Sequence, residues 1–334
     1  MKIQAMAALK QGAELAPWSY DSPQSGPFDC LLKVMACGLC YSDIHMIDND
    51  WTMSRYPLVP GHEVVGKVLE RGEQATHLKL GDRVGVGWQR AACLQCRDCL
   101  RGSENLCKDA SGLIVDGYGG FADHVVVDSR FCFPLPGRIP SNVAGPLLCG
   151  GITVYAALRY AGMTTGQEIG VIGLGGLGHL AVQFAAKLGN RVTVFTASED
   201  KAFAASRLGA VAAILIKEGQ PSTIPDRPLD LLLSTVPAHL PWDAYLELLD
   251  VDGTLTFVGV PRGPLTFSLD SLLLKRRRVM ASPIAGRAMI QETLELADRF
   301  NIAPVVETFP LAEANLAIRR LRENRIRYRA VLMA

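Results

Sequence analysis

The sequence predicts an α/β protein in which a doubly wound parallel sheet is joined to a β-rich, barrel-like domain. Three observations carry this. A chain of 334 residues is too long for one ordinary core, and two domains is the natural size. Its second half alternates short apolar strands with helical stretches around Gly173-Leu174-Gly175-Gly176-Leu177-Gly178. Its first half is built of short alternating runs and Gly-rich turns, and it carries four of the nine cysteines between Cys93 and Cys107.

Composition sets the class. Apolar residues make up 49% and charged residues 20% of the chain, as in globular proteins. A net charge of +1 gives no reason to expect a nucleic-acid or membrane partner. The one basic cluster, Lys275-Arg276-Arg277-Arg278, is expected to be a solvated helix end or the start of a strand. The N-terminus lacks the charged and apolar regions of an export signal, and no apolar run reaches the length of a membrane span. A cytoplasmic location is therefore expected. In such a chain, crowded cysteines favour metal ligation over disulfides.

In chain order, strands are expected at 30–36, 64–71, 83–88 and 122–127, separated by turns such as Arg71-Gly72 and Leu80-Gly81-Asp82. In the loops or helix starts of this domain lies Cys40-Tyr41-Ser42-Asp43-Ile44-His45, followed by Gly61-His62-Glu63 and much later by Cys149. Cys40, His62 and Cys149 offer two thiolates and one imidazole, a donor set suited to a catalytic zinc with its fourth position open. Any one of them alone would read as a buried thiol or an ordinary histidine. The run Cys93-x2-Cys96-x2-Cys99-x7-Cys107 is a stronger signal, because four thiolates at this spacing close a tetrahedral structural zinc site. Disulfides or an iron–sulfur cluster compete. For the cluster, Cys107 comes too late and no proline follows it.

The texture changes near Cys149. A helix is expected over 152–161, a strand over 168–172, a helix over 179–188 and a strand over 191–195. This is a strand–G-x-G-x-x-G–helix–strand unit, the Rossmann context for a dinucleotide. Gly173 allows the tight turn, Gly175 lets a pyrophosphate approach the helix N-terminus, and Gly178 permits close helix–strand packing. Further strands at 212–216, 229–234, 254–260 and 279–282, with helices at 201–209 and 241–249, complete the alternation. Helices at 288–300 and 311–323 and a last strand at 328–332, returning to the first domain, end the chain. After Phe195 come Thr196-Ala197-Ser198, with no carboxylate at the strand end to repel a 2′-phosphate. Thr196, Ser198 and Lys201 can contact that phosphate, so NADP is expected over NAD.

Over essentially its whole length the chain resembles the zinc-dependent medium-chain alcohol dehydrogenases. Within them it resembles the cinnamyl-alcohol-dehydrogenase branch and its NADPH-dependent bacterial broad-range aldehyde reductases. The resemblance rests on Cys37-Gly38-Leu39-Cys40-Tyr41-Ser42-Asp43, Gly61-His62-Glu63, Gly145-Pro146-Leu147-Leu148-Cys149-Gly150-Gly151-Ile152-Thr153 and Arg327-Tyr328-Arg329. It departs at Tyr41, where this branch often has His, and at Pro283, near the nicotinamide.

The resemblance implies a GroES-like catalytic domain of residues 1–150 with 287–334, and a Rossmann domain of residues 151–286. It implies two zinc ions per chain. Cys40, His62 and Cys149 would bind the catalytic ion, Glu63 would stand beside it able to approach, and Asp43 would orient His62. Cys37 would not be a ligand. The dinucleotide would be held by Thr153, Gly173, Leu174, Gly175, Gly176, Leu177, Gly178, Thr196, Ser198, Lys201, Thr235, Val236, Gly259, Val260, Ser282 and Ile284, with Arg329 on its pyrophosphate. Ser42, then the nicotinamide ribose, then His45 would move a proton between the reacting oxygen and solvent. Tyr41, Trp51, Met53, Trp88 and Ile284 would form an apolar cleft for aromatic or medium aliphatic aldehydes. A homodimer through the region 265–282 is also implied. Competing readings are a polyol- or formaldehyde-type dehydrogenase on the same scaffold, an inactive dinucleotide sensor, and a zinc-bearing DNA-binding protein. The near-neutral charge argues against the last.

Overall fold

The structure, a computed structural model, describes residues 1–334. The chain forms two compact units. One comprises Met1–Cys149, Ala285–Asp298 and Ala303–Ala334, and the other Gly150–Ile284 with Arg299–Ile302.

The first unit is built on a sheet ordered Val306–Pro310, Arg329–Met333, Asp29–Leu39, Glu63–Arg71, Arg83–Val86, Phe133–Pro134, with His124–Asp128 also pairing to Asp29–Leu39. The last strand does return here, running antiparallel to Asp29–Leu39 with Ala330 opposite Leu39. Alternation of Cys30, Leu32 and Val34 with outward residues sends one face into a core shared with Val64, Val84 and Val125. A hairpin of Lys2–Ala8 and Leu15–Asp21, which the sequence reading did not foresee, adds Ile3, Ala7 and Leu15 to that core.

The second unit is a seven-stranded sheet ordered Gln220–Pro221, Ala212–Lys217, Arg191–Thr196, Glu168–Ile172, Leu229–Ser234, Leu249–Phe257, Arg278–Ala281. Every pairing is parallel except that of the short Gln220–Pro221 edge. Taking the six parallel strands in chain order, the arrangement is 3-2-1-4-5-6, the doubly wound order of dinucleotide-binding folds. The central strands Arg191–Thr196, Glu168–Ile172 and Leu229–Ser234 are buried on both faces, which accounts for their apolar character.

Two expectations need correction. The basic run is at a strand start, but Arg277 is not solvated. It is buried and donates to the Glu247 carboxylate at 2.7 Å and to the carbonyls of Ser271 and Leu249. The helical stretch around Cys149 is also longer than expected. Ser141–Tyr160 is long and apolar enough to cross a membrane, but 72% of its apolar window is buried in the protein, as in a core helix.

Candidate active site and metal centres

The first candidate centre lies wholly within the first unit. Cys40 caps the helix Tyr41–Asp48, His62 directly precedes the strand Glu63–Arg71, and Cys149 sits in a π-helical turn, Leu147–Gly151. That turn is the kind of local irregularity often found at functional sites. The Sγ atoms of Cys40 and Cys149 are 4.0 Å apart, and His62 Nε2 is 3.3 Å from Cys149 Sγ. With zinc–sulfur bonds of about 2.3 Å, a tetrahedron has sulfur–sulfur edges of about 3.8 Å, so the donor set fits the ion. Glu63 belongs to the same cluster. Cys37 does not, and its buried thiol lies 3.6 Å from Gly38 O.

Asp43 organises this centre. It is fully buried and accepts three hydrogen bonds: from Cys40 N at 2.8 Å, from Gly61 N at 2.8 Å and from His62 Nδ1 at 2.9 Å. With Nδ1 donating, Nε2 is left as the atom free for a metal. Gly61 has φ +100°, and a side chain there would run into Phe121 and Cys37, so only glycine delivers His62 in this way.

Glu63 is also fully buried. It pairs with Arg329 through Oε1, while Oε2 has no partner within the protein. An orphaned carboxylate oxygen beside two thiols and an imidazole is what a cation site leaves unsatisfied. Burial pushes the Glu63 carboxyl up, and Arg329 opposes this. Hydrogen bonding to Cys149 holds the Cys40 thiol well below its ordinary range, against the cost of burial and with help from Arg329 and His62; Cys149 is correspondingly raised. A bound metal would displace the thiol protons.

The room for Glu63 comes from two glycines that sequence reasoning did not single out as site residues. A Cβ on Gly38 would overlap Glu63 Oε2, and one on Gly145 would stand 2.7 Å from Glu63 O. Both lie inside the motifs quoted above, which was the available signal.

Arg329 lies at this same centre. It is buried against Glu63, with Nη1 4.0 Å from Cys40 Sγ and Nε unpaired. Ser42 Oγ is 3.7 Å from Cys40 Sγ. His45 is partly exposed, pairs with Asp50 at 2.6 Å, and stacks loosely on Tyr41 and Trp51. Trp51 packs on Trp88, whose ring meets His62 edge-on at 5.2 Å. Tyr41, Trp51 and Met53 are exposed.

The second centre is Cys93, Cys96, Cys99 and Cys107. The Sγ separations Cys93–Cys99, Cys96–Cys107 and Cys93–Cys107, 3.9, 3.8 and 3.5 Å, are those of a closed tetrahedral zinc site. The backbone amides of Gln95 and Cys96 lower the Cys93 thiol to about 6, favouring the thiolate that a metal needs.

In the second unit, Gly173 has φ +90° and a Cβ on Gly178 would overlap Gly173 O, so these two glycines are required by the turn itself. A Cβ on Gly175 would meet nothing within 4 Å. Open space above the middle glycine, at the N-terminus of the Gly178–Lys187 helix, fits a pyrophosphate. Thr235 Oγ1 donates to Ile172 O at 2.8 Å, and Gly259 lies so close to Val236 that a Cβ would overlap its backbone. Thr196 Oγ1 accepts from Ser198 N at 3.3 Å, and Ser198 Oγ caps the next helix at Lys201 N. Glu199 and Asp200 are exposed. Leu174 is buried, Val260 is exposed, and Ser282 Oγ donates to Pro283 O at 3.0 Å. Thr153, Gly176, Leu177 and Ile284 belong to this unit as well.

Residues 26–137 match the alcohol dehydrogenase GroES-like domain, and residues 176–299 match the zinc-binding dehydrogenases. The chain is 42% identical to an aldehyde reductase, AdhA, of Synechocystis over 330 residues, 99% of this chain and 98% of that one. A cinnamyl alcohol dehydrogenase of Sorghum bicolor superposes with a TM-score of 0.92 at 36% identity, covering 100% of this chain and 98% of that one. A cinnamyl alcohol dehydrogenase of Helicobacter pylori, solved with NADP(H), gives 0.92 at 30% identity with the same coverage. The chain belongs to the zinc-binding alcohol dehydrogenase family, in its cinnamyl-alcohol-dehydrogenase-like branch, and is an oxidoreductase of alcohols and aldehydes.

Proposed function

We propose that this enzyme is a zinc- and NADP(H)-dependent reductase that interconverts aromatic or medium aliphatic aldehydes with their primary alcohols. The observation that carries the reading is the Cys40–His62–Cys149 set, with Cys40 and His62 buried, Trp88 edge-on to His62 and Trp51 against Trp88. The aromatic rings favour an apolar substrate over a charged or polyhydroxylated one.

Bound zinc supplies a Lewis acid for the carbonyl oxygen, and the dinucleotide supplies the hydride. The chain's own residues do the rest. Asp43 fixes the tautomer and angle of His62. Trp51 and Trp88 shield the reacting carbonyl from water. Ser42, beside Cys40, passes the proton to or from the substrate oxygen, and His45, oriented by Asp50, exchanges it with solvent. Arg329, which the resemblance assigns to the pyrophosphate, is shared between Glu63 and Cys40, and its unpaired Nε is buried.

The NADP preference rests on the loop after Arg191–Thr196. Its acidic residues Glu199 and Asp200 face solvent, and Thr196, Ser198 and Lys201 would meet a 2′-phosphate. A homodimer would use the free edge of the Arg278–Ala281 strand, where Leu269, Leu273 and Leu274 are 71%, 64% and 82% exposed. Sedimentation at micromolar concentration tests this, and a monomer refutes it.

The functional test compares kcat/KM for NADPH and NADH with aromatic, aliphatic and polyol substrates. NADPH with an aromatic or medium aliphatic aldehyde should be preferred, and Thr196→Asp should move the preference towards NADH. A parent enzyme that favours NADH, or a polyol, overturns the corresponding half of the reading.

A further inference from the structure

Glu104 is an acidic residue that neither metal centre uses, yet it is only 3% exposed. It opens the short helical turn Glu104–Leu106, between Cys99 and Cys107 of the four-cysteine lobe. Both of its oxygens serve one partner. Oε2 accepts from Arg287 N at 3.1 Å and Oε1 accepts from Arg287 Nε at 2.9 Å. Arg287 also donates to Arg130 O at 3.3 Å and lies over the Phe131 ring.

The two preceding residues are tied down as well. Ala285 O accepts from the buried Gln89 Nε2 at 2.7 Å. A Cβ on Gly286 would overlap both Gly102 O and Glu104 Oε2, so the backbone there rests directly on the cysteine lobe. Ala285, Gly286 and Arg287 are thus three consecutive residues fastened to the lobe or its base. They are also where the chain leaves the main segment of the nucleotide-binding unit, Gly150–Ile284, and re-joins the catalytic unit at Ala285.

The pair is unequal in burial: the Glu104 side chain is 4% exposed and that of Arg287 34%. With its guanidinium partly in solvent such a pair contributes little to stability, whereas a buried carboxylate can serve to select one arrangement over others. We propose that Glu104, through Arg287, is a positioning residue for dinucleotide binding: the cysteine lobe fixes the start of the crossover, and thereby the adjoining Ser282–Ile284 stretch. This rests on the reading above in which Ser282 and Ile284 contact the cofactor.

The test uses the full-length, zinc-loaded enzyme. Glu104→Gln keeps one acceptor, turns an amide group on the other Arg287 donor and removes the charge. Gly286→Ala pushes the crossover off the lobe from its other side. NADPH Kd, read by fluorescence titration, should rise about tenfold in both, a coupling of about 1.4 kcal/mol. Both variants should retain two zinc ions per chain, with aldehyde KM and kcat at saturating NADPH within about twofold of the parent, since only positioning is disturbed. Arg287→Lys, which keeps the charge without the fork, should fall between.

A Glu104→Gln protein that melts earlier but binds NADPH as the parent does would show a purely structural pair and overturn the proposal. If Glu104→Gln does not fold, unchanged NADPH Kd in Gly286→Ala and Arg287→Lys overturns it equally. A parent that fails to bind NADPH is a different result, because it overturns the functional reading on which the proposal rests.

Discussion

Replacing Asp43 by Asn changes one oxygen into an amine and keeps the shape. Asp43 now serves three donors: Oδ1 takes Gly61 N and His62 Nδ1, and Oδ2 takes Cys40 N. The amide has one acceptor oxygen, so its better orientation keeps the Oδ1 pair and turns its NH2 towards Cys40 N. The opposite orientation would strand two donors. At least one fully buried N–H is then left facing another donor, which costs about 1–3 kcal/mol. The loss of carboxylate charge also weakens the bond to His62 Nδ1 and so makes Nε2 a poorer ligand. Changes of this kind behind a metal-bound histidine cost about 10–100-fold in affinity. Asp43→Asn should therefore lower folding stability by about 1–3 kcal/mol and raise the zinc dissociation constant of the Cys40–His62–Cys149 site by about 10–100-fold. A chelator competition followed by elemental analysis reads the second effect. The four-cysteine site serves as an internal control, because Asp43 does not touch it. If both zinc ions leave the variant at the chelator concentrations that strip the parent, Asp43 does not set the affinity of the site and the argument fails.

Other outcomes can be checked in the same preparations. Cys93→Ser should lose one zinc ion per chain and melt earlier, while folded molecules keep their turnover; normal stability with abolished turnover would reverse the assignment of the two centres. Ser42→Ala should slow the proton-coupled step by about 10²-fold with zinc content unchanged, and near-normal turnover would remove Ser42 from the proton path. Gly38→Ala should displace the Glu63 carboxylate that its Cβ would overlap, and so disturb the Arg329 pair. Measured stability and zinc affinity should both fall, and a variant indistinguishable from the parent would show that Glu63 can move aside freely.

The parts of this molecule that were legible in its sequence are those whose physics is local. The four cysteines lie within one short lobe, so their spacing already states the geometry. The strand Glu168–Ile172, the glycine turn and the helix after it are contiguous, and the packing that demands Gly173 and Gly178 involves their immediate neighbours and Thr235–Val236. Cys40 and Cys149 are 109 positions apart, and before the fold only their donor chemistry and the family resemblance joined them. The π-helical turn that presents Cys149 was hidden because nothing in Leu147–Gly151 distinguishes a helix of that pitch from a loop, and Pro146 beside it reads as a breaker. Arg277 and Glu104 were hidden for a related reason. A charged side chain reads as solvated unless its partner is known, and their partners, Glu247 and Arg287, stand 30 and 183 positions away. In each of these cases the missing information is a long-range pairing that cancels a local cost. The residues whose local propensities disagree with their surroundings, namely a buried Glu63, a buried Glu104 and a glycine at 38 pressed on a carboxylate, are therefore the ones to mutate first.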